Sequence, residues 1–331
     1  MRSRALHARV AIALLLPLVS QCDVTLRVFA DGTGDFASVQ AAIDSVARTP
    51  GAGHATLQLR GVFRERVSVW ANLSSGVDFV QAPSAADRPL IIYNVSGAGG
   101  SSCNGTGGPG TFGSFTVQVL ADDVRMRGVD VANDACGYDH KAAGQSVALD
   151  IRSDRFAFFS ASLLGSQDTL YTGRANTYFA DLFINGTCDA VFGNSNAVFE
   201  RATIRMDFTV TAQRGPPPPN RTAYLFLNSS VDSLSGAPLL LGRPWGPDAM
   251  TIFSGCELGA GIDPAGWSDW SHNCTTAPTS WCADVYYAEY NNTGPGWQPK
   301  SRVPWAKILD DAEGESWTVE RVLGAWKPSP P

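Results

Sequence analysis

Hydrophobic residues recur along this chain with two periods, one helical and one typical of short strands. In the stretch DFASVQAAIDSVART, apolar side chains return at the three- and four-residue spacing of one helix face, with Asp35 as the expected N-cap. The apolar positions are Phe36, Val39, Ile43 and Val46. After this helix come short segments rich in Val, Phe and Ile, separated by Gly, Asn and Asp, which predict an all-β protein.

The strand segments form a weak repeat. Similar segments begin at residues 122, 153, 175 and 195, and the last three starts are 22 and 20 residues apart. A period near 20 residues is typical of a solenoid whose coils stack on one another. The Leu/Asn pattern of leucine-rich repeats is missing. We therefore expect a single-stranded, right-handed parallel β-helix capped by the N-terminal helix. A β-sandwich is the alternative, because Asn185–Gly186 would also fit a hairpin turn.

Two isolated carboxylates, Asp168 and Asp189, lie 21 residues apart, which is one coil of the expected solenoid. Neighbouring coils are about 4.8 Å apart, so the two side chains would be adjacent. Gln145 lies 22 residues before Gln167 and would occupy the preceding coil. Adjacent carboxylates resist ionising together, which suits acid–base chemistry better than structural stacking.

The start of the chain has the features of a secretory leader at residues 1–22. Arg2, Arg4 and Arg9 precede the apolar stretch AIALLLPLV, which is too short to span a bilayer. We expect residues 23–331 to form one domain. Eight Asn-x-Ser/Thr triplets also favour an exported glycoprotein. They begin at Asn72, Asn94, Asn104, Asn185, Asn220, Asn228, Asn273 and Asn291.

The number of cysteines indicates the redox compartment of the protein, and its net charge limits the kinds of partner that it can bind. Six cysteines would remain after removal of the leader, an even number that suits disulfides, and only Cys274–Cys282 is close enough in sequence to assign. The remaining cysteines are Cys103, Cys136, Cys188 and Cys256.

Without the leader, the chain has 22 basic and 31 acidic residues, which gives a formal net charge of −9. Nucleic acid is therefore an unsuitable partner, and an acidic polysaccharide requires local arginines. We expect no membrane partner and a monomer.

The sequence lacks the motifs of several other classes of enzyme. There is no GxSxG elbow for a serine hydrolase, no HExxH or compact Asp cluster for a metal, and no P-loop or GxGxxG for a nucleotide. We therefore expect neither a metal nor an organic cofactor.

Nine motifs, in order, resemble those of the plant-type pectin methylesterases (pectinesterases, carbohydrate esterase family 8). QDTLY and LGRPW are the most specific, and the likeness extends over roughly residues 34–326. The motifs are GDFASVQAAIDSV (34–46), GVFRERV (61–67), GQSVAL (144–149), GSQDTLY (165–171), CDAVFGN (188–194), LGRPWG (241–246), GWSDW (266–270), YYAEYNNTGPG (286–296) and RVPW (302–305).

The resemblance implies a parallel β-helix and hydrolysis of the galacturonate methyl esters of cell-wall homogalacturonan to carboxylate and methanol. It implies that Asp189 is the nucleophile and that Asp168 is the general acid and then base. Gln145 and Gln167 would donate to the oxyanion, and Arg243 would hold Asp189. The implied substrate contacts are Thr111, Phe112, Gln145, Tyr171, Phe192, Arg243, Trp245 and Trp267. It further implies secretion to the cell wall and a proteinaceous pectinesterase inhibitor as a second partner. On this resemblance residues 23–331 would be the catalytic β-helix domain, with no inhibitor-like pro-region.

Several positions depart from the family pattern. Phe63 replaces a Tyr and Ser146 replaces an Ala, and both changes are conservative. Ala190 replaces the bulky Phe that commonly follows the nucleophile, and Val191 replaces Ile, which would loosen packing under Asp189 or reshape the groove floor. An insertion, DACGYDHKAAG, precedes Gln145, and a Cys103–Cys136 disulfide restraining a longer loop there is a hypothesis.

Three alternatives stay open from the sequence. A β-helical pectin lyase would need a calcium-binding carboxylate cluster, and a polygalacturonase would need several neighbouring aspartates. A pectin-binding wall protein without turnover would not need an acid beside a nucleophile.

A glycan on Asn185 would crowd the groove, because this residue lies four positions before Asp189.

Overall fold

A computed structural model describes residues 22–49, 51–73, 75–98, 108–135, 144–275 and 280–331. The expected leader, apart from Cys22, lies outside the described residues, as do Cys103 and Cys136 and most of the insertion before Gln145. No helix in the described part of the chain combines the length and the apolar character needed to cross a membrane.

Short strands make up most of the described chain. In chain order they are β1 (Cys22–Phe29), β2 (Ala52–Arg60), β3 (Val62–Arg64), β4 (Val67–Val69), β5 (Val77–Gln81), β6 (Leu90–Tyr93), β7 (Val117–Val119), β8 (Val124–Arg127), β9 (Asp130–Asn133), β10 (Leu149–Ile151), β11 (Phe156–Phe159), β12 (Ser162–Leu164), β13 (Leu170–Thr172), β14 (Asn176–Ala180), β15 (Phe183–Gly193), β16 (Asn196–Glu200), β17 (Thr203–Gln213), β18 (Tyr224–Leu227), β19 (Ser230–Ser233), β20 (Leu239–Gly242), β21 (Met250–Ser254), β22 (Glu257–Leu258), β23 (Tyr286–Tyr290) and β24 (Lys307–Ile308). The helices are α1 (Val39–Ala47), α2 (Ser280–Ala283), α3 (Asp311–Gly314) and α4 (Val319–Leu323), with 3₁₀ turns at Thr111–Gly113 and Pro299–Ser301.

These strands build a three-faced parallel coil, which confirms the predicted β-helix. The first face runs β1-β2-β5-β8-β11-β14-β16-β18-β21-β23-β24. The second runs β3-β6-β9-β12-β15-β17-β19-β22, and the third runs β4-β7-β10-β13-β15-β17-β20. The 11-residue strands β15 and β17 are long enough to pass through both the second and the third face. Asn185–Gly186 lies inside β15 and pairs in parallel with β17, so the hairpin and the sandwich are excluded.

The turn between the first and second faces explains the Gly, Asn and Asp residues that separate the strands. One residue at this turn adopts a positive φ in coil after coil, a conformation that Gly, Asn and Asp accept most readily. The turn residues are Gly128, Ser160, Asp181, Arg201, Asn228 and Gly255. The repeat starts seen in the sequence fall just before the first-face strands β8, β11, β14 and β16.

A ladder of stacked phenylalanines fills the core behind the first face. Phe179, Phe199, Phe226 and Phe253 occupy equivalent positions on successive coils, and their ring centroids are 4.6, 4.5 and 4.4 Å apart. The rings are almost parallel, because each coil repeats the orientation of the coil before it. On the next coil, Glu289 takes the position that pairs with Phe253.

The predicted capping helix is present as α1, but its start is different. Val39, Ile43 and Val46 are buried, as the helical spacing predicted. The expectation that Asp35 is the N-cap is wrong: Ser38 accepts from the Ala41 amide, while Asp35 pairs with Arg27 at 2.8 Å. Phe36 lies before the helix, bridging Val28 on β1.

The segment after β24 covers the outer side of the first face. Its apolar side chains pack on the outward-facing residues of β11, β14, β16 and β18, so this side of the sheet is not left open to water. The buried residues of the segment are Leu309, Trp317, Val322 and Leu323, and those beneath them are Ala157, Tyr178, Val198 and Leu225.

The cysteines are only partly paired. The assignment of Cys274–Cys282 as a disulfide is confirmed. Cys188 and Cys256 are both free thiols, so the expectation drawn from even parity is wrong for these two. Cys256 is fully buried in the turn between β21 and β22.

Candidate active site

Asp168 and Asp189 lie side by side on neighbouring coils. The backbone N–H of Asp168 donates to the Cys188 carbonyl at 3.0 Å, and Leu170 pairs with Val191 just beyond. Both aspartates have a positive φ, 63° and 52° respectively. At Asp189 the pairing of β15 with β17 shifts register, and such an irregularity re-aims the side chain away from the core. The predicted adjacency of the two carboxylates is therefore confirmed.

The two glutamines extend this row. Gln145 and Gln167 form a parallel bridge, and the Ser146 amide donates to the Gln167 carbonyl at 2.9 Å. Both side chains are half-buried and line the cavity that contains Asp168 and Asp189. Gln145 thus lies on the coil before that of Gln167 and Asp168, as the 22-residue spacing predicted, and both amides line the cavity with the carboxylates.

Arg243 binds Asp189 with both arms of its guanidinium group. It follows β20, which pairs with β17, and its Nε donates to Asp189 Oδ1 at 2.8 Å while Nη2 donates to Oδ2 at 2.5 Å. The guanidinium carbon lies 3.9 Å from the ring centroid of Trp270, which holds the group flat. A bidentate pair of this kind favours the ionised carboxylate.

Asp168 has a very different environment, although it touches the same cavity. Burial, and then the nearby charge of Asp189, raise the pKa of Asp168 well above its ordinary value, against a smaller lowering by Arg243. Within the described residues, no arginine or lysine forms an ion pair with Asp168. The site therefore holds one ion-paired carboxylate, Asp189, beside a carboxyl with a strongly raised pKa, Asp168.

These groups open into a cavity of about 240 Å³ that is polar on one side and aromatic on the other. Of the expected substrate contacts, Thr111, Phe112, Phe192 and Trp245 line it. Tyr171 packs against this wall, with its ring centroid 4.9 Å from those of both Phe112 and Phe192. Aromatic side chains beside charged groups suit a sugar ring that carries an ester.

The expectation for Trp267 is wrong, since this side chain is not in the groove. It is 1 % exposed, stacks on Tyr287 at 4.4 Å and donates its indole N–H to Glu289 at 3.2 Å. Trp270, three residues later in the same GWSDW motif, lines the cavity instead. From the sequence alone the two tryptophans cannot be told apart. In the structure, Trp267 forms a parallel bridge with Gly242, and its side chain points into the core.

Two more residues of the site were missed or misjudged from sequence. The Cys188 thiol accepts from Arg243 Nη2 at 3.3 Å, and burial with the adjacent Asp189 charge raises its pKa to about 12. Ala190 is fully buried and belongs to the core under Asp189, so it does not reshape the groove floor. A Cβ added to Gly186 would lie 2.8 Å from that of Ala190, which shows how closely the two small residues face each other.

Buried and exposed polar side chains hold the surrounding loops in place. Asn133 is fully buried, and its Nδ2 donates to the carbonyls of Ser114 at 2.6 Å and Val147 at 3.1 Å. Arg66 donates to the Phe115 carbonyl at 3.1 Å and also reaches that of Gly113. Together these bonds fix the Thr111–Gly113 turn against the segment that carries Gln145.

Asn185 does not have the exposure that a glycan acceptor needs. It is 7 % exposed, and its Nδ2, the atom to which a glycan would be attached, donates to the Arg205 carbonyl at 3.2 Å. This burial and this hydrogen bond argue against a glycan on Asn185 in the folded protein.

Known proteins resemble this chain both in sequence and in structure. The family model described as Pectinesterase matches residues 25–325. Pectinesterase 31 of Arabidopsis thaliana is 32% identical over 296 residues, covering 87% of this chain and 89% of that protein. Probable pectinesterase/pectinesterase inhibitor 6 of the same plant is 30% identical over 310 residues, and this chain, 90% covered, spans only 52% of its length. The structure of pectin methylesterase from carrot matches with a TM-score of 0.75 and 27% identity, covering 91% of this chain and 97% of that one.

Proposed function

The chain belongs to the pectinesterase family, and we propose that it hydrolyses the methyl esters of pectin through the two carboxylates of its groove. The family resemblance noted in the sequence is confirmed by the match, and with it the right-handed form of the β-helix. The activity is that of an esterase, in which a galacturonate methyl ester and water give a carboxylate and methanol.

Asp189 is the nucleophile of this mechanism. One carboxylate oxygen attacks the ester carbonyl carbon, and the carbonyl electron pair moves onto oxygen to form a tetrahedral oxyanion. The amides of Gln145 and Gln167 stabilise that oxyanion, because they donate hydrogen bonds without adding charge beside an anionic chain. Arg243 orients the carboxylate through its two hydrogen bonds and neutralises its charge.

Asp168 is the general acid and then the general base. When the carbon–methoxy bond breaks, its electron pair leaves with the methoxy oxygen, which takes the proton of Asp168 and departs as methanol. A mixed anhydride between Asp189 and galacturonate remains. Water attacks the galacturonate carbonyl of the anhydride, gives one proton to Asp168 and displaces Asp189 as a free carboxylate. The galacturonic acid that forms then loses its remaining proton to solvent and leaves as the carboxylate.

The observation that carries the proposal is the asymmetry between the two carboxyl groups. Asp189 makes a bidentate bond with Arg243, whereas Asp168 is 8 % exposed, without an ion pair in the described chain, and has a strongly raised pKa. A nucleophile must be ionised and an acid must carry a proton, so the ion pair at Asp189 and the raised pKa of Asp168 suit these two roles.

The proposal extends to substrate, partners and location. The substrate is cell-wall homogalacturonan, and the protein acts outside the cell as a monomer. The leader-like pattern at residues 1–22 and the Cys274–Cys282 disulfide support export to an oxidising compartment. An inhibitor protein is the second partner, an idea supported by relatives named pectinesterase/pectinesterase inhibitor.

The products distinguish this activity from its alternatives. Purified protein incubated with highly methylated pectin should release one methanol for each carboxylate formed, without new reducing ends or unsaturated products. New reducing ends would identify a polygalacturonase, and unsaturated ends a lyase. Binding of pectin with no methanol would identify a wall-binding protein and overturn the proposal.

A further inference from the structure

Trp270 reaches Arg243 from a loop whose backbone is strained. Trp270, Ser271 and Asn273 have positive φ angles of 51°, 66° and 57°. This left-handed conformation is uncommon for residues other than glycine and asparagine and rare for a bulky ring, and it persists only where the surroundings impose it. Groups around this loop must therefore hold it in place.

Asp269 holds the first half of the loop. Its Oδ1 accepts from the Ser271 amide and its Oδ2 accepts from the Cys274 amide, each at 3.0 Å. Its carbonyl accepts from the His272 amide, also at 3.0 Å. Asp269 thus binds three of the backbone amides that follow it, and these amides surround the strained residues.

A disulfide and a stacked pair of rings hold the second half of the loop. Cys274 is bonded to Cys282 in α2, and the His272 ring stacks on that of Trp281 with the centroids 4.1 Å apart. Helix α2 leads into β23 of the first face, so both contacts tie the loop to the body of the β-helix. We call Asp269, His272, Trp281 and the Cys274–Cys282 bond the brace.

The contacts of Trp270 lead to the proposed nucleophile. Its ring lies 3.9 Å from the guanidinium carbon of Arg243, which donates to both oxygens of Asp189 at 2.8 and 2.5 Å. The carboxylate fixes the guanidinium group within their common plane, whereas a ring on its face prevents the group from tilting out of that plane. The position of Trp270 therefore affects the orientation of the Asp189 carboxylate.

We propose that the brace positions the nucleophile: it holds Trp270 in the left-handed conformation over Arg243, which keeps Asp189 aimed at the ester. The inference rests on the proposed esterase function and adds Cys274, Cys282 and Trp270 to it as positioning residues. Without the disulfide, Trp270 relaxes to an ordinary backbone conformation and its ring leaves Arg243. The folded protein then still binds pectin but turns it over more slowly, because a small misplacement of a nucleophile lowers the rate of attack.

A double-mutant cycle on methanol release tests this coupling. In the double serine variant Cys274→Ser, Cys282→Ser, kcat should fall about tenfold while KM changes by less than about twofold. Trp270→Ala should lower kcat by a similar factor, whereas Trp270→Phe keeps a flat ring on Arg243 and should retain most of the activity. Combining the serine changes with Trp270→Ala should lower kcat no further than Trp270→Ala alone, because the disulfide acts through this ring.

Reduction of the wild-type protein repeats the test without a substitution. Dithiothreitol supplies two electrons and two protons, which convert the Cys274–Cys282 bond into two thiols while the reagent becomes a cyclic disulfide. Cys282 is half-buried, so the reagent can reach the bond. Wild type that remains folded should lose the same factor in kcat, and the double serine variant, as the matched control, should not respond.

The outcomes that would overturn the brace differ from a failure of the esterase. A folded double serine variant with wild-type kcat, or losses in kcat that multiply when the serine and alanine changes are combined, would overturn the positioning role while methanol release still supports the esterase. If the double serine variant does not fold, reduced wild type assayed below its unfolding temperature decides, and an undiminished kcat would count against the brace. No methanol from wild type would overturn the esterase, and the positioning role with it.

Discussion

At the scale of single residues, Asp168 carries two costs that its proposed role explains. Its φ of 63° is a conformation that ordinary residues avoid, and its carboxyl is buried without an ion pair in the described chain. Neither feature helps the fold. Both features place an acid with a raised pKa at the cavity. Asp168 therefore lowers the stability of the folded protein while serving the proposed reaction.

Replacing Asp168 with Asn should therefore stabilise the protein at neutral pH while abolishing activity. Because the pKa of Asp168 is raised in the folded state, the folded protein binds more protons than the unfolded chain between about pH 4 and the raised value. Wild-type stability consequently falls as the pH rises through that window. Asn cannot titrate and keeps the shape of the side chain.

Thermal unfolding of wild type and Asp168→Asn at a series of pH values measures this effect. The melting temperature of the variant should exceed that of wild type at pH 7, and the difference should shrink below about pH 4. A difference that does not change with pH would contradict the raised pKa.

At the scale of elements, helix α1 illustrates which local features the sequence predicts. Its buried face followed from helical spacing, but its N-cap did not, because the partner that captures Asp35 is Arg27 on β1. The same holds for Trp267 and Trp270, where the inward or outward direction depends on pairing with another coil. A shift of one residue reverses the direction of a side chain, and sequence pattern alone does not determine that register.

Glu65, in the GVFRERV motif, should matter for stability through α1. Its carboxylate accepts from the Val39 amide and from the Ser38 hydroxyl, both at 2.7 Å, so it caps a helix that precedes it in the chain. Replacing Glu65 with Gln removes the charge and one acceptor oxygen, and should lower the free energy of unfolding by about 1–2 kcal/mol.

Urea unfolding of Glu65→Gln measures that loss. Glu257→Gln, on an exposed position of β22, is the matched control and should behave like wild type. If the two variants have equal midpoints, the capping role of Glu65 is refuted.

At the scale of the whole molecule, the β-helix is predictable because its coils repeat. The period near 20 residues is sufficient to place the four polar site residues on neighbouring coils, where the strand pairing also puts them. What the period cannot predict is how the coil ends. At its C-terminal end the phenylalanine ladder gives way to Glu289, which is fully buried and paired with Arg302 at 2.7 Å.

Replacing Arg302 with Met should destabilise the whole protein by about 3–5 kcal/mol, because it leaves the Glu289 charge buried without its partner. Arg302 also donates to the carbonyls of Pro264 and Gly296, at 3.1 and 2.8 Å. The double variant Glu289→Met, Arg302→Met should recover part of the loss, since two apolar residues leave no buried charge. Urea midpoints report both effects, and a double variant no more stable than the single one would rule out an uncompensated charge as the cause.

The central claim concerns Asp189, and methanol release from highly methylated pectin tests it most directly. Wild type is compared with Asp189→Asn and with Asp87→Asn, which replaces an exposed aspartate far along the chain, each first checked for folding. The account predicts full activity for Asp87→Asn and a loss of at least about a thousandfold for Asp189→Asn. A folded Asp189→Asn that releases methanol at the wild-type rate would contradict it.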